Sequence, residues 1–250
     1  MKAFLLAAGN GTRLRPLTDN IPKCMVPIHG TPLLGIWMEW CRLSGIDEVL
    51  VNVHAHADAV IHYLAGNVGV NITISYEPEL LGSAGTLYAN REFVRGEDEF
   101  AVLYADVLTN CDFDSFLRFH QQHNSLATLG LYRVPNPSEC GIAEIDSENR
   151  IVSFVEKPPS RKGNLAFSGL MIARPQVLEL LSSSAPSDIG SDLLPLLVNR
   201  MHGFPIRDYL IDIGSLKKYA KAQEEWPGLH LTAPDLSATL RPMKSALGAI

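Results

Sequence analysis

The 250-residue chain reads as a three-layer α/β protein, a mostly parallel sheet with helices on both faces. Three observations predict this. Short apolar runs bounded by turn residues alternate with helix-spaced segments through the first half. One run, Phe100–Ala105, is apolar on both faces, as a central parallel strand should be. The first run, Lys2–Ala8, ends directly in a glycine-rich turn. Pro32–Ser44 then carries Leu33, Leu34, Trp37, Met38 and Cys41 at helical spacing and closes at Gly45, a C-terminal cap. Glu48–Val53 is a strand, Ala57–Leu64 a short helix ending at Gly66, and Asn71–Tyr76 a third strand. Ser83 is the expected cap of a helix over Ala84–Phe93, and Phe100–Ala105 is the fourth strand. The second half predicts a helix at Phe113–His123 and strands at Ala127–Arg133, Ile142–Ile145, Ile151–Glu156 and Leu165–Ala173. Helices are expected at Gln176–Ser183 and Ser191–Met201, a strand at Arg207–Ile211 and a last helix at Leu216–Trp226. No Pro-, Gly- or Ser-rich linker divides the chain, so one domain is expected over 1–226, with 227–250 as an aperiodic arm.

Composition narrows the function. With 46% hydrophobic and 19% charged residues the chain has an ordinary globular balance, and its net charge of −6 gives no global attraction for nucleic acid or an anionic membrane. No run reaches membrane-spanning length. The apolar start is too short for a signal peptide and runs straight into Arg13 and Arg15. Cys24, Cys41, Cys111 and Cys140 are scattered with no CxxC, which argues for reduced thiols in a cytoplasmic protein. His54 and His56, and likewise His120 and His123, lack a third ligand at a fitting place, so histidine-bound metal is not expected. The aperiodic arm and the apolar 33–43 segment leave monomer and homodimer both open.

The most informative stretch is Ala7–Ile28. Gly9 and Gly11 remove side chains where the backbone must turn tightly and approach a ligand closely. Successive N–H groups in such a turn form a concave anion site. Arg13, Arg15 and Lys23 add fixed positive charge within the same segment, which is what a polyphosphate requires. A Walker loop does not fit, since no Lys-Ser or Lys-Thr follows; a dinucleotide fingerprint does not fit either, since Leu14 stands at the third glycine position. The pattern that fits is GxGTRLxPLT followed by Pro22-Lys23. It resembles the signature of the sugar-1-phosphate nucleotidyltransferases, the nucleotide-sugar pyrophosphorylases.

Four further segments carry the same resemblance as far as about Trp226. They are Leu81–Thr86 (LGSAGT), Tyr104-Ala105-Asp106, Val155–Pro158 (VEKP) and Ile211–Ser215 (IDIGS). The resemblance implies a Rossmann-like nucleotidyltransferase domain, with a nucleotide-binding half at 1–112 and a sugar-phosphate-binding half at 113–226. It implies that Ala8, Gly9, Gly11, Thr12, Gly82 and Gly85 contact the nucleotide, and that Arg13, Lys23 and Lys157 are catalytic. Gly141, Glu156, Ser168 and Gly169 would face the sugar. Asp106 and Asp212 would hold Mg²⁺, a cation that prefers hard oxygen ligands. Two departures from the family pattern stand out: Ala105 replaces a usual Gly, and Leu210-Ile211 replaces a bulky aromatic before Asp212.

The implied reaction is attack of a sugar 1-phosphate oxygen on the α-phosphate of a nucleoside triphosphate, with pyrophosphate leaving. The wording LGSAG, FSG and DIG is most similar to the short mannose- or heptose-1-phosphate guanylyltransferase and N-acetylmuramate-1-phosphate uridylyltransferase branches. GTP with a manno-configured sugar 1-phosphate is the favoured pair. UTP with an N-acetylated sugar 1-phosphate, a phosphocholine cytidylyltransferase-like activity and a non-catalytic nucleotide-sugar-binding regulator are the alternatives. Neither nucleic acid nor membrane is an expected partner.

Overall fold

The computed structural model describes residues 1–66, 69–159 and 163–229. The 227–250 arm expected from the sequence therefore lies almost wholly outside the described residues. In chain order the regular elements are β1 (Lys2–Leu6), β2 (Pro27–Ile28), β3 (Thr31–Pro32), α1 (Leu33–Leu43), β4 (Glu48–Val53), α2 (Ala57–Leu64) and β5 (Asn71–Tyr76). Next come α3 (Gly82–Ala89), β6 (Phe100–Tyr104), β7 (Val107–Thr109), α4 (Phe113–His123), β8 (Ala127–Arg133) and β9 (Gly141–Ile145). The last are β10 (Ile151–Glu156), β11 (Leu165–Ala173), β12 (Met201–Pro205), β13 (Leu210–Asp212) and α5 (Leu216–Glu225).

A nine-stranded sheet forms the middle layer. β1 sits at its centre, hydrogen-bonded in parallel to β4 and β6, and β5 extends the parallel set beyond β4. The second half joins through β11, which runs antiparallel to β6 and to β9 along one edge and to β8 along the other. Tracing directions through these ladders, only β10 and β11 oppose the rest, so the sheet is mixed but mostly parallel.

Alternation along β1 explains the outer layers. Ala3 and Leu5 face the core covered by α1, α2, α4 and α5; Phe4 faces a second core with α3 and the turns around 175–197. All three are 0% exposed, which fixes this strand as the sheet's axis. The apolar 33–43 segment is spent inside the chain: Leu33, Leu34, Trp37, Met38 and Cys41 are buried, and Trp40 stacks edge-on against Phe113. α4 starts at Asp112, whose carboxylate accepts the Ser115 N–H, and stops at left-handed Asn124.

Four expected elements differ. The helix expected over Ala84–Phe93 runs over Gly82–Ala89, with a separate 3-10 turn at Arg91–Val94. Gln176–Ser183 forms a 3-10 turn over Pro175–Leu180 instead of an α-helix. Ser191–Met201 is a π-turn over Ile189–Leu193 and a 3-10 turn over Leu194–Leu197, followed by the unanticipated β12. The expected strand at Arg207–Ile211 shifts to Leu210–Asp212 and pairs with β7 in a separate two-stranded ribbon. That ribbon carries one site residue to another. No helix among the described residues is long and apolar enough to cross a membrane.

Candidate active site

The carboxyl ends of β1, β4 and β6 open into a cavity of about 400 Å³. This is the edge at which open α/β sheets receive ligands. Ala8, Gly9, Gly11, Thr12 and Arg13 all line it. Gly11 takes φ +61°, and a Cβ there would lie 3.1 Å from the Lys23 Cβ and 3.2 Å from the Thr18 Cγ2. The turn is pinned from behind, since Thr18 Oγ1 donates to the Gly11 carbonyl at 2.8 Å and the Ala7 N–H donates to Asn52 Oδ1 at 2.7 Å. Gly9 is the open side: a Cβ there would meet nothing within 4 Å. Arg13 is exposed at the rim, whereas Arg15 turns aside to pair with Asp19 at 3.4 Å.

Asp106 follows β6 and Asp212 ends β13. The β7–β13 ribbon registers Asp212 against Val107, and the Ile213 N–H donates to the Asp106 carbonyl at 2.8 Å, so the two carboxylates emerge side by side. Lys23 joins them. Its ammonium, on a side chain only 11% exposed, donates to Asp106 Oδ2 at 2.5 Å and lies 3.9 Å from Asp212 Oδ1. The second Asp212 oxygen accepts from Lys218 Nζ at 2.6 Å. A cation thus already stands between two hard carboxylates. That is the donor chemistry a divalent ion such as Mg²⁺ uses when substrate phosphates and water complete its shell. No cluster of three or more His, Cys, Asp or Glu residues able to hold a metal occurs among the described residues.

The far end of the cavity is floored by Asn52, Glu77, Leu80 and Gly82. Glu77 is 2% exposed. Its Oε1 accepts from Asn52 Nδ2 at 2.9 Å and Thr86 Oγ1 at 2.5 Å, and its Oε2 from the Leu81 N–H at 3.1 Å. Ser83 does not cap α3 as the sequence suggested. The Ala84 and Gly85 N–H groups donate to the Ser187 carbonyl, while Asp188 Oδ1 accepts from both the N–H and the hydroxyl of Ser83. The chain at 187–188 therefore closes the helix N-terminus, and Gly82, at φ +76°, is required because any Cβ would strike the Ser187 backbone. Gly85 packs beneath Ser187 and Leu81, whereas Gly82, Ser83 and Asp188 reach the cavity wall.

None of Gly141, Glu156, Lys157, Ser168 and Gly169 lines this cavity, and Gly169 approaches it through Tyr104, which does. Gly141 and Glu156 are register partners, and a Cβ on Gly141 would lie 2.6 Å from the Glu156 carboxylate. Lys157, left-handed at φ 45°, donates its N–H to the Cys140 carbonyl, and its ammonium is 3.6 Å from Glu156. Register shifts in β11 between Phe167 and Met171, which brings Gly169 so close that a Cβ would lie 2.9 Å from the Tyr104 Cβ. Ser168 is buried, its Oγ accepting the Leu170 N–H at 3.2 Å.

Among the described residues the cleft offers no activated nucleophile of its own. Burial, helped by the nearby Asp106 charge, pushes the Cys24 thiol up to about 12, so it stays protonated. Burial likewise raises the Tyr104 phenol, whose hydroxyl pairs with Ser83. Of the paired histidines, His54 Nδ1 meets the Glu77 carbonyl at 2.8 Å and His123 stacks on Phe119. Sequence reasoning missed Asn52, Glu77, Asp188 and Lys218. Only Asn52 left a signal, as a polar residue inside the apolar strand EVLVNV.

Comparison with known proteins agrees with this geometry. A mannose-1-phosphate guanyltransferase of Candida albicans is 33% identical over 227 residues, covering 88% of this chain and 62% of that protein. A UTP–glucose-1-phosphate uridylyltransferase of Synechocystis is 34% identical over 243 residues, again 62% of the relative. The chain thus spans about 62% of the length of these curated relatives. Among solved structures, HddC from Yersinia pseudotuberculosis is 26% identical with a TM-score of 0.77, covering 90% of this chain and 99% of that one. A second HddC structure, complexed with GMP-PN, gives 27% and 0.76. The nucleotidyl transferase family profile matches residues 2–227, and the chain belongs to that family.

Proposed function

We propose that the protein transfers a nucleotidyl group from a nucleoside triphosphate to a sugar 1-phosphate, with GTP and a manno-configured sugar 1-phosphate as the preferred pair. The observation that carries this reading is the Lys23 ammonium held between Asp106 and Asp212 at the foot of the glycine loop. It places fixed positive charge and paired carboxylates together at one end of a cleft whose other end is a buried, uncharged-donor floor around Glu77. A nucleotide has the same polarity, anionic at one end and flat at the other. The preference for guanine rests on the relatives and not on Glu77, whose two oxygens already accept from Asn52, Thr86 and the Leu81 N–H. Relatives named for guanylyl transfer and a neighbour crystallised with GMP-PN point to guanine. The Synechocystis relative, named for UTP, keeps uridylyl transfer as the second reading.

In the reaction, an oxygen of the sugar phosphate forms a bond to the α-phosphorus as the bond from that phosphorus to the β-phosphate bridging oxygen breaks. The electron pair leaves with pyrophosphate. The nucleophile is already anionic, so no protein base is required, consistent with a cleft whose Cys24 thiol remains protonated. The chain's task is to gather two repelling anions and neutralise charge in the transition state. Gly9 and Gly11 admit the phosphates to backbone N–H groups, Arg13 at the rim faces the departing pyrophosphate, and Lys23 faces the α-phosphate. Lys157 holds the incoming phosphate, with Glu156 on the sugar hydroxyls. Asp106 and Asp212 would hold Mg²⁺, which supplies Lewis-acid polarisation of the phosphoryl oxygens. The cellular counterpart is a cytoplasmic enzyme of nucleotide-sugar synthesis.

The test is a substrate panel: four nucleoside triphosphates against mannose, heptose, glucose and N-acetylated sugar 1-phosphates and phosphocholine with Mg²⁺, read by pyrophosphate release. Turnover only with phosphocholine, or none with any acceptor, would overturn the reading.

A further inference from the structure

Lys218 is a cation beside the cleft, held on Asp212, that the chemistry above does not use. It lies in the first turn of α5, where its N–H donates to Ser215 Oγ at 3.3 Å and fixes the turn. Its Nζ grips Asp212 Oδ2 at 2.6 Å. With Lys23 at 3.9 Å from the other Asp212 oxygen and 2.5 Å from Asp106, four side chains form a row of alternating charge: Lys218, Asp212, Lys23, Asp106. Gly214 makes the grip possible, since a Cβ there would lie 2.7 Å from the very oxygen that Lys218 holds. The two lysines differ in freedom. Lys23 is 11% exposed and walled in, whereas Lys218 is 41% exposed and free to swing. Lys218 also faces the acceptor half, because its charge reaches the Cys140 thiol, and the Cys140 carbonyl anchors the Lys157 N–H.

We infer that Lys218 is a built-in counter-cation that competes with the divalent ion for Asp212 and, once displaced, contacts the phosphate of the incoming sugar 1-phosphate. This rests on the nucleotidyl-transfer reading. An ammonium on a flexible stem is a movable point charge, suited to exchanging one oxyanion for another. The row as it stands is neutral. A divalent ion entering between the carboxylates adds positive charge beside Lys218 and drives it toward the remaining anion, the acceptor phosphate. The device places the second cation on the acceptor side only after the metal is seated.

The test compares Lys218→Met and Lys218→Arg with the wild-type chain. Mn²⁺ binding without substrates, read by electron paramagnetic resonance, should tighten in Lys218→Met by about two- to fivefold, the scale of a partly exposed ion pair. The KM for the sugar 1-phosphate should rise about tenfold, the loss of one charge-assisted contact, while the KM for the nucleoside triphosphate stays put. Lys218→Arg should restore the acceptor KM. Mn²⁺ binding that is weaker or unchanged in Lys218→Met would overturn the inference, because a residue that merely shapes Asp212 for the metal would weaken it. Both KM values rising together would also overturn it. If the wild type uses no sugar 1-phosphate, the transfer reading fails while the Mn²⁺ comparison still decides the competition.

Discussion

Replacing Glu77 by Gln tests the floor of the cleft without changing its shape. Glu77 is 2% exposed, and three donors converge on its two oxygens: Asn52 and Thr86 on one, the Leu81 N–H on the other. Glutamine has a single acceptor oxygen. Thr86 can escape by turning its hydroxyl wholly to the Gly82 carbonyl, 3.0 Å away. Asn52 and Leu81 cannot both be served, and whichever is abandoned faces the new amide's N–H. Stranding one buried donor costs about 1–3 kcal/mol. In a domain of this size each kcal/mol lowers the melting temperature by about 2–4 °C. The damage should also travel, because Asn52 Oδ1 holds the Ala7 N–H at the entrance to the glycine loop. Glu77→Gln is therefore expected to melt earlier and to raise the KM for the nucleoside triphosphate but not for the acceptor. Thermal denaturation followed by circular dichroism and steady-state kinetics with both substrates give the readouts. An unchanged melting temperature together with an unchanged nucleotide KM would refute the network as the link between the floor and the loop.

Three other outcomes are expected. Arg13→Ala and Asp106→Asn should each lower kcat by about 10²–10³ while leaving the melting temperature near wild type, as loss of one preorganised electrostatic group does; near-wild-type pyrophosphate release in either would remove that residue from the mechanism. Gly169→Ala should destabilise by at least about 1–2 kcal/mol, because φ is +84° and the new Cβ meets Tyr104, and urea titration showing no loss would contradict that contact. His120 gives a pH dependence: burial first, then the Arg174 and His202 charges, lower its pKa from 6.5 to about 4. The unfolded chain binds that proton near pH 6.5 and the folded chain only near pH 4, so stability is full above this window and falls as pH drops through it. The fall approaches about 1.4 kcal/mol per pH unit. Urea titrations at pH 7.5 and pH 5 should show a smaller drop in His120→Gln, and an equal drop in both proteins would exclude His120 as its source.

How far the sequence carried the structure depends on where each signal is stored. Strands β4, β5, β8, β10 and β11 and helices α2 and α4 lie at their expected bounds, because a sheet strand or an amphipathic helix writes its apolar pattern into its own residues. The glycine loop was legible for the same local reason: Gly11 must turn at φ +61° against Lys23 and Thr18, which lie within the same short stretch. The segment 189–197 misled because Ile189, Leu193, Leu194 and Leu197 are all 0% exposed at a helix-like spacing. Apolar spacing there marks burial and not a helical backbone. The chain there must also deliver the Ser187 carbonyl to the N-terminus of α3, a demand made by residues a hundred positions away. Pro195 then interrupts any helix that would follow.

The same distinction separates the site residues. Asp106 and Asp212 could be paired in advance because each ends a strand in a motif long enough to resemble a family. Lys218 could not, since Lys217-Lys218 on a polar helix looks like any solvated charge pair until the β7–β13 ribbon turns α5 toward the cleft. The part of the site that resisted reading is therefore the part whose chemistry is set by tertiary contact alone. On the proposed competition for Asp212, two proteins alike in the glycine loop should differ in metal affinity with the residue that faces that carboxylate rather than with the loop. Exchanging that one residue between two such proteins should move Mn²⁺ affinity with it. Affinity that stayed with the loop would place the control in Arg13 and Lys23 instead.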